Sequence, residues 1–277
     1  MAKAESASPF ALVTERTLEQ WRSARRRLLD SKAGTAAVHH WRICTRRLLA
    51  LEALLAPRAS AGDATCEAVL QDAFRAAGRL RDAQVAIGLL DSQPARYAAA
   101  ARISRKLRQD LPRLRRRVLR EVRGVRTREL RAVVEHWNAA ARGPHALQGR
   151  AARRMHAELR ALARASTRPE SQRALHQRRI RTKRLRYMLE SCGRDAGLPF
   201  DARRALGIVT RQQATLGRIT DLTMTLDLIE RAGGKDSRPQ ETREILALRE
   251  HLLRRYQQLL RRHAQPKKSL QIALQIV

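Results

Sequence analysis

Nine helices in two similar halves are expected from this chain: an all-α fold of two four-helix bundles related by internal pseudo-twofold symmetry. Val, Ile and aromatic residues never alternate over a sustained run, so strand signals are nearly absent. Ala, Leu, Arg, Glu and Gln dominate instead, and these favour helices. One basic motif also occurs twice, in segments of similar helical pattern.

Gly and Pro punctuate the helices. The first two are expected over 11–30 and 35–56, the second ending at the Pro57 to Gly62 break. A third spans 63–91 and stops at Ser92 to Pro94. Helices 95–123 and 126–142 flank Gly124, which interrupts the very basic stretch from Arg113 to Arg131; one bent helix or two shorter ones both fit. Gly143-Pro144 and Arg168-Pro169 bound a helix over 148–166. The remaining helices, 170–192, 200–231 and 239–264, are separated by Gly193 to Pro199 and Gly233 to Pro239. Gly78 and Gly217 fall inside helices, where Gly costs about 1 kcal/mol relative to Ala. A close helix crossing at each would account for them.

Hydrophobic residues make up 43% of the chain, enough for a core despite a formal net charge of +32. Only seven of the 58 basic residues are Lys, leaving 51 Arg. A GC-rich genome would explain Arg over Lys, but not an excess over 26 acidic residues. Charge of one sign repels itself in the compact state, so a polyanionic partner is implied. The planar guanidinium suits phosphate, which it grips through two parallel hydrogen bonds. Cys44, Cys66 and Cys192 are odd in number and widely spaced, which argues against a disulfide framework or zinc site and fits a cytoplasmic setting. No signal peptide or membrane span is read.

The repeat is explicit. VHHWRICTRRLLALE begins at Val38 and LHQRRIRTKRLRYML at Leu175. At an offset of 137, His39 falls on His176, Arg42 on Arg179, Thr45 on Thr182, Arg46 on Lys183, Arg47 on Arg184 and Leu48 on Leu185. Downstream, GRLRDAQ and GRITDLT match at an offset of 139, pairing Gly78 with Gly217 and Asp82 with Asp221. One domain is expected over 10–265, with halves 10–142 and 148–265, segment 126–142 as a connector, and a tail over 266–277.

At about 100° per residue, His39, Arg42 and Arg46 share one helical stripe, opposite Cys44, Leu48, Leu51 and Leu55. His176, Arg179, Lys183 and Arg186 repeat it, with Tyr187 and Glu190 alongside. A charged stripe is usually a solvated face; recurrence in the same residue order favours a site for a long, repeating anion. Asp82 and Asp221 are expected to be ion-pair partners that position basic side chains. No phosphate loop, dinucleotide fingerprint or HExxH motif is present. His39 and His176 would have to meet across the twofold to hold a metal, and hydrogen bonding to phosphate or orienting a neighbouring helix is the simpler role for each. Neither catalysis nor a cofactor is expected.

These residues resemble the CHAD family, histidine-bearing α-helical domains, through VHHWRICTRRLLALEALL, RLRDAQV, LHQRRIRTKRLRYMLE and LGRITDL in that order. The resemblance implies two pseudo-symmetric four-helix bundles, binding of inorganic polyphosphate by a basic central surface, and targeting to polyphosphate granules. It assigns polyphosphate contacts to His39, Arg42, Arg46 and Arg47, and to His176, Arg179, Lys183, Arg184, Arg186 and Tyr187. His40 and Leu49 depart from the family pattern; Leu49 stands where Arg186 stands in the second half, which predicts a weaker N-terminal stripe. The ExExK motif of triphosphatase-fused relatives is absent. Two other classes compete: a nonspecific nucleic-acid binder active at low salt, and a metal-dependent phosphohydrolase. With 3% aromatic residues the first lacks stacking platforms, and the second lacks a carboxylate cluster or activated nucleophile in the repeated motifs.

Overall fold

A computed structural model describes residues 9–30, 32–55, 61–140, 144–165, 171–192, 198, 200–232 and 239–264. Among them the chain forms helices α1 (Pro9–Leu29), α2 (Thr35–Leu55), α3 (Ala61–Asp91), α4 (Ala98–Gly124), α5 (Thr127–Ala140), α6 (Pro144–Ala165), α7 (Gln172–Cys192), α8 (Ala202–Ala232) and α9 (Pro239–Ala264). The tail 266–277 lies outside the described residues.

Local chemistry sets several boundaries. Gly124 ends α4, and Val125 takes an extended conformation (φ −72°, ψ 108°), so the basic stretch is two helices. Pro144 opens α6 instead of preceding it, since Pro needs no hydrogen-bonded N–H in a first turn. A turn in which the Tyr97 N–H donates to the Pro94 carbonyl at 2.9 Å delays α4 to Ala98. Asp201 caps α8, its carboxylate accepting from the Arg203 and Arg204 N–H groups at 2.8 and 3.0 Å. Ser171 caps α7 through the Ala174 N–H at 3.2 Å.

Repeated helices find each other. Helix α2 packs on α7, α3 on α8 and α4 on α9. The main core draws Trp21, Trp41 and Leu51 from the first half together with Met155, Leu159, Leu185 and Val209 from the second. A smaller core joins the tips of the two hairpins, Leu90 and Ile103 meeting Ile229, Leu248 and Leu252. The halves therefore fold around shared cores and are not independent bundles on a linker. Segment 126–142 is more than a connector: α5 buries Leu130, Val134 and Trp137 in the main core.

One repeated residue is structural. Thr45 and Thr182 are both fully buried. The Thr45 hydroxyl donates to the Trp41 carbonyl at 2.9 Å and accepts from Trp21 Nε1 at 3.0 Å. The Thr182 hydroxyl donates to the Arg178 carbonyl at 2.8 Å. The Thr45 hydroxyl thereby ties α2 to α1, whereas the Thr182 bond stays within α7. Some arginines are structural as well. Arg154 of α6 donates to the Ala53 and Leu54 carbonyls at 2.9 and 2.6 Å, satisfying the C-terminus of α2.

Candidate functional site

The packing of α2 on α7 turns two stripes into one cluster. Arg46 lies close enough to Arg42, Arg179 and Lys183 to lower the proton affinity of each. Asp82 of α3 and Asp221 of α8 supply the nearest negative charge, and Arg81 adds another cation.

Arg42 is anchored most firmly. It is 7% exposed. Its Nη1 donates to the Phe74 carbonyl at 3.0 Å, and its guanidinium lies 4.5 Å from the centre of the Phe74 ring. Gly78 makes this possible: a Cβ there would stand 3.1 Å from Arg42 Nη1. The crossing expected at Gly78 is thus the passage of an arginine side chain. Gly217, its counterpart, has nothing within 4 Å and faces open space, so no close crossing explains it. Arg46 shares the Phe74 ring at 5.2 Å. Burial, aided by Arg46, brings the Arg42 guanidinium down to about 10, while Asp82 opposes the shift.

The second stripe is held differently. Arg179 reaches Asp221 at 3.8 Å. Burial lowers its proton affinity, Asp221 restores part of it, and Arg46 lowers it again. Burial and the cations Arg46, Arg179 and Arg42 bring the Lys183 ammonium down to about 6. The ammonium form of Lys183 is therefore disfavoured in the absence of an anion. Asp221 is pushed up by burial against the pull of Arg179 and Lys183. His39 is pushed down, first by burial and then by Arg81, Arg46 and Arg42.

A cleft of about 550 Å³ opens over this cluster. Arg46, Arg179, Lys183 and Arg184 line it together with Phe74, Ile180 and Tyr187. A second cleft of about 230 Å³ holds His176, Asp82 and Asp221. Arg179 lines both.

Six of the ten residues expected to touch polyphosphate therefore line the larger cleft or perturb its cations: Arg42, Arg46, Arg179, Lys183, Arg184 and Tyr187. His39 lies near enough to Arg42 and Arg46 for their charge to act on it. His176 faces the smaller cleft. Arg47 and Arg186 line neither cleft, although the Arg186 guanidinium lies 5.8 Å from the centre of the Tyr187 ring. Arg186 Nε donates to Glu190 at 2.6 Å, and Arg47 approaches the same carboxylate at 3.9 Å while donating to Gln20 at 3.3 Å. Asp221 forms the ion pair expected of it; Asp82 raises the proton affinity of both Arg42 and Arg179. Phe74 and Arg81 were missing from the sequence-based set. Phe74 stands one helical turn before Gly78, and Arg81 beside Asp82, so both lay within or next to the repeated GRLRDAQ segment.

Among the described residues, no three His, Cys, Asp or Glu side chains converge in a way that could hold a metal ion. No helix there is long and apolar enough to cross a membrane. The model of the CHAD domain matches residues 13–230. The fold is similar to the crystal structure of the CHAD domain from the plant Ricinus communis, with a TM-score of 0.71 at 19% identity, covering 100% of this chain and 96% of that one. No curated protein matches the chain.

Proposed function

The chain belongs to the CHAD domain family, and on that premise we propose that its central cleft binds inorganic polyphosphate. The observation that carries the reading is the convergence of Arg42, Arg46, Arg179 and Lys183, whose mutual repulsion is only partly offset by Asp82 and Asp221. Holding these groups together away from water disfavours their charged forms until an anion arrives. A phosphate chain supplies that anion at every unit, and its oxygens suit the forked donors of arginine. Lys183 takes up a proton as the chain binds, since a nearby negative charge favours the ammonium form.

The role proposed is binding, not catalysis, and association with polyphosphate granules in the cytoplasm follows from it. Asp82 and Asp221 act as counter-ions here and not as an acid–base pair. The test is competition at one fixed salt concentration. Long-chain polyphosphate should displace a bound DNA duplex at a lower phosphate concentration than DNA needs to displace polyphosphate. The opposite order would favour a nucleic-acid binder. Release of orthophosphate from polyphosphate with added magnesium or manganese would establish an enzyme.

A further inference from the structure

The larger cleft is not cationic along its whole length. Along α2 it runs from Arg46 through Leu49 to Glu52 and Ala53, roughly two helical turns or about 10 Å. Helix α3 runs beside it in the opposite sense, Phe74 lying against Arg46 and Glu67 grouping with Leu49 and Glu52. One end of the cleft therefore presents Arg46, Arg179 and Lys183, and the other an apolar wall with two carboxylates, Glu52 and Glu67. Arg184 lines the cleft too, but its guanidinium is drawn to Glu158 at 3.4 Å.

This polarity does not suit an anion charged along its entire length. A phosphate pushed to the far end would meet Glu52 and Glu67. An acyl chain would fit the apolar wall but strip water from the same carboxylates. A ligand with phosphates at one end and a neutral, hydroxyl- or amino-bearing ring system at the other meets every requirement. Its ring covers apolar surface, and its O–H or N–H groups donate to the Glu67 carboxylate, whose two oxygens keep acceptor capacity beside the Gln71 contact. The cleft volume of about 550 Å³ falls in the range of small-molecule sites.

We propose that this cleft binds a nucleoside polyphosphate, its phosphates at Arg46, Arg179 and Lys183 and its nucleoside against Leu49 between Glu52 and Glu67. The inference rests on the polyphosphate reading for the cationic end only. Long polyphosphate and the nucleotide then compete for that end.

Calorimetric titration of the full chain with ATP, GTP and inorganic tripolyphosphate, metal-free at matched ionic strength, separates the two ends. All three carry three linked phosphates, and tripolyphosphate has one ionisable oxygen more than either nucleotide, so a preference for a nucleotide runs against charge. At least one nucleotide should bind about tenfold more tightly than tripolyphosphate, which is the scale of a modest gain from a ring and one or two hydrogen bonds. Glu67→Gln should narrow that ratio by strengthening tripolyphosphate. Leu49→Arg should narrow it further, and circular dichroism should show both variants folded. If tripolyphosphate binds and neither nucleotide exceeds it, the nucleoside end is wrong and the polyphosphate reading stands. If none of the three binds while long-chain polyphosphate does, the nucleotide proposal alone is overturned; if long-chain polyphosphate does not bind either, both are.

Discussion

Helix α4 and the α2–α7 cleft are both rich in arginine, yet they use it in opposite ways. On α4, Arg113, Arg116, Arg117, Arg120 and Arg123 are exposed to water. Arg113 and Arg120 find carboxylates on their own helix, Asp110 at 3.2 Å and Glu121 at 3.3 Å. In the cleft, Arg42 is buried and Arg179 and Lys183 are largely withdrawn from solvent, with shifted proton affinities. The lesson is that density of charge does not mark a site. A solvated arginine has little to gain from a new anion beyond screening, whereas a desolvated cation surrounded by others has much to gain.

The largest expected effect follows directly. Replacing Arg46, Arg179 and Lys183 with Ala should weaken polyphosphate binding roughly 100-fold, as three charge-assisted contacts worth about 1.5–3 kcal/mol each do not add fully. Replacing Arg113, Arg116 and Arg120 removes as many basic side chains and at least as much charge, yet should cost about threefold or less. Titrations of both variants at one salt concentration make the comparison.

Next in size is the stability effect of Lys183. Its proton affinity falls from 10.5 to about 6 on folding. Between these pH values the unfolded chain holds the extra proton, so this group's contribution to stability rises with pH. Its penalty is greatest below pH 6 and vanishes above 10.5. Lys183→Met should therefore be more stable than wild type at pH 7, by about 1–3 kcal/mol after allowance for relaxation around the amine. That advantage should shrink by up to about 1.4 kcal/mol per pH unit as pH rises. Urea denaturation at pH 7, 8 and 9 measures it, and a gap that widens with pH would contradict the assignment.

A smaller contrast lies within the repeat. Gly217→Ala enters open space and should stabilise α8 by about 0.5–1 kcal/mol. Gly78→Ala gains the same helix propensity but crowds Arg42, so its denaturation midpoint should fall below that of Gly217→Ala. Equal midpoints would mean that Arg42 needs no such passage. The smallest effect concerns Arg186→Ala, which should change polyphosphate affinity less than about twofold, because Glu190 already engages that guanidinium.

Much of the fold was legible because helices declare themselves locally. The apolar side of α2, read from spacing alone, is buried at Cys44, Leu48, Leu51 and Leu55. The repeat paired the stripes before any contact was known. What spacing does not carry is the choice of partner across helices. A helical projection placed Arg186 in the stripe and Glu190 beside it, but did not record that the two pair. Arg178 aligns with Trp41 and is nearly as buried, at 6% against 0%. Segment 126–142 looked spare because it lacks a counterpart, whereas its Leu130 and Trp137 complete the main core. The anchoring of Arg42 on Phe74 depends on α3 lying across α2, which a single-helix pattern does not record.

The central claim is that the cleft, and not net charge, engages the phosphate chain. Its most direct test is the salt dependence of binding, because each phosphate neutralised by a cation releases condensed counterions. Plots of log affinity against log salt concentration should have the same slope for wild type and for the Arg113/Arg116/Arg120 variant. For the Arg46/Arg179/Lys183 variant the slope should be shallower by about two to three, by analogy with DNA. Equal flattening in both variants, or none in either, would contradict a dedicated site and leave diffuse attraction as the account of binding.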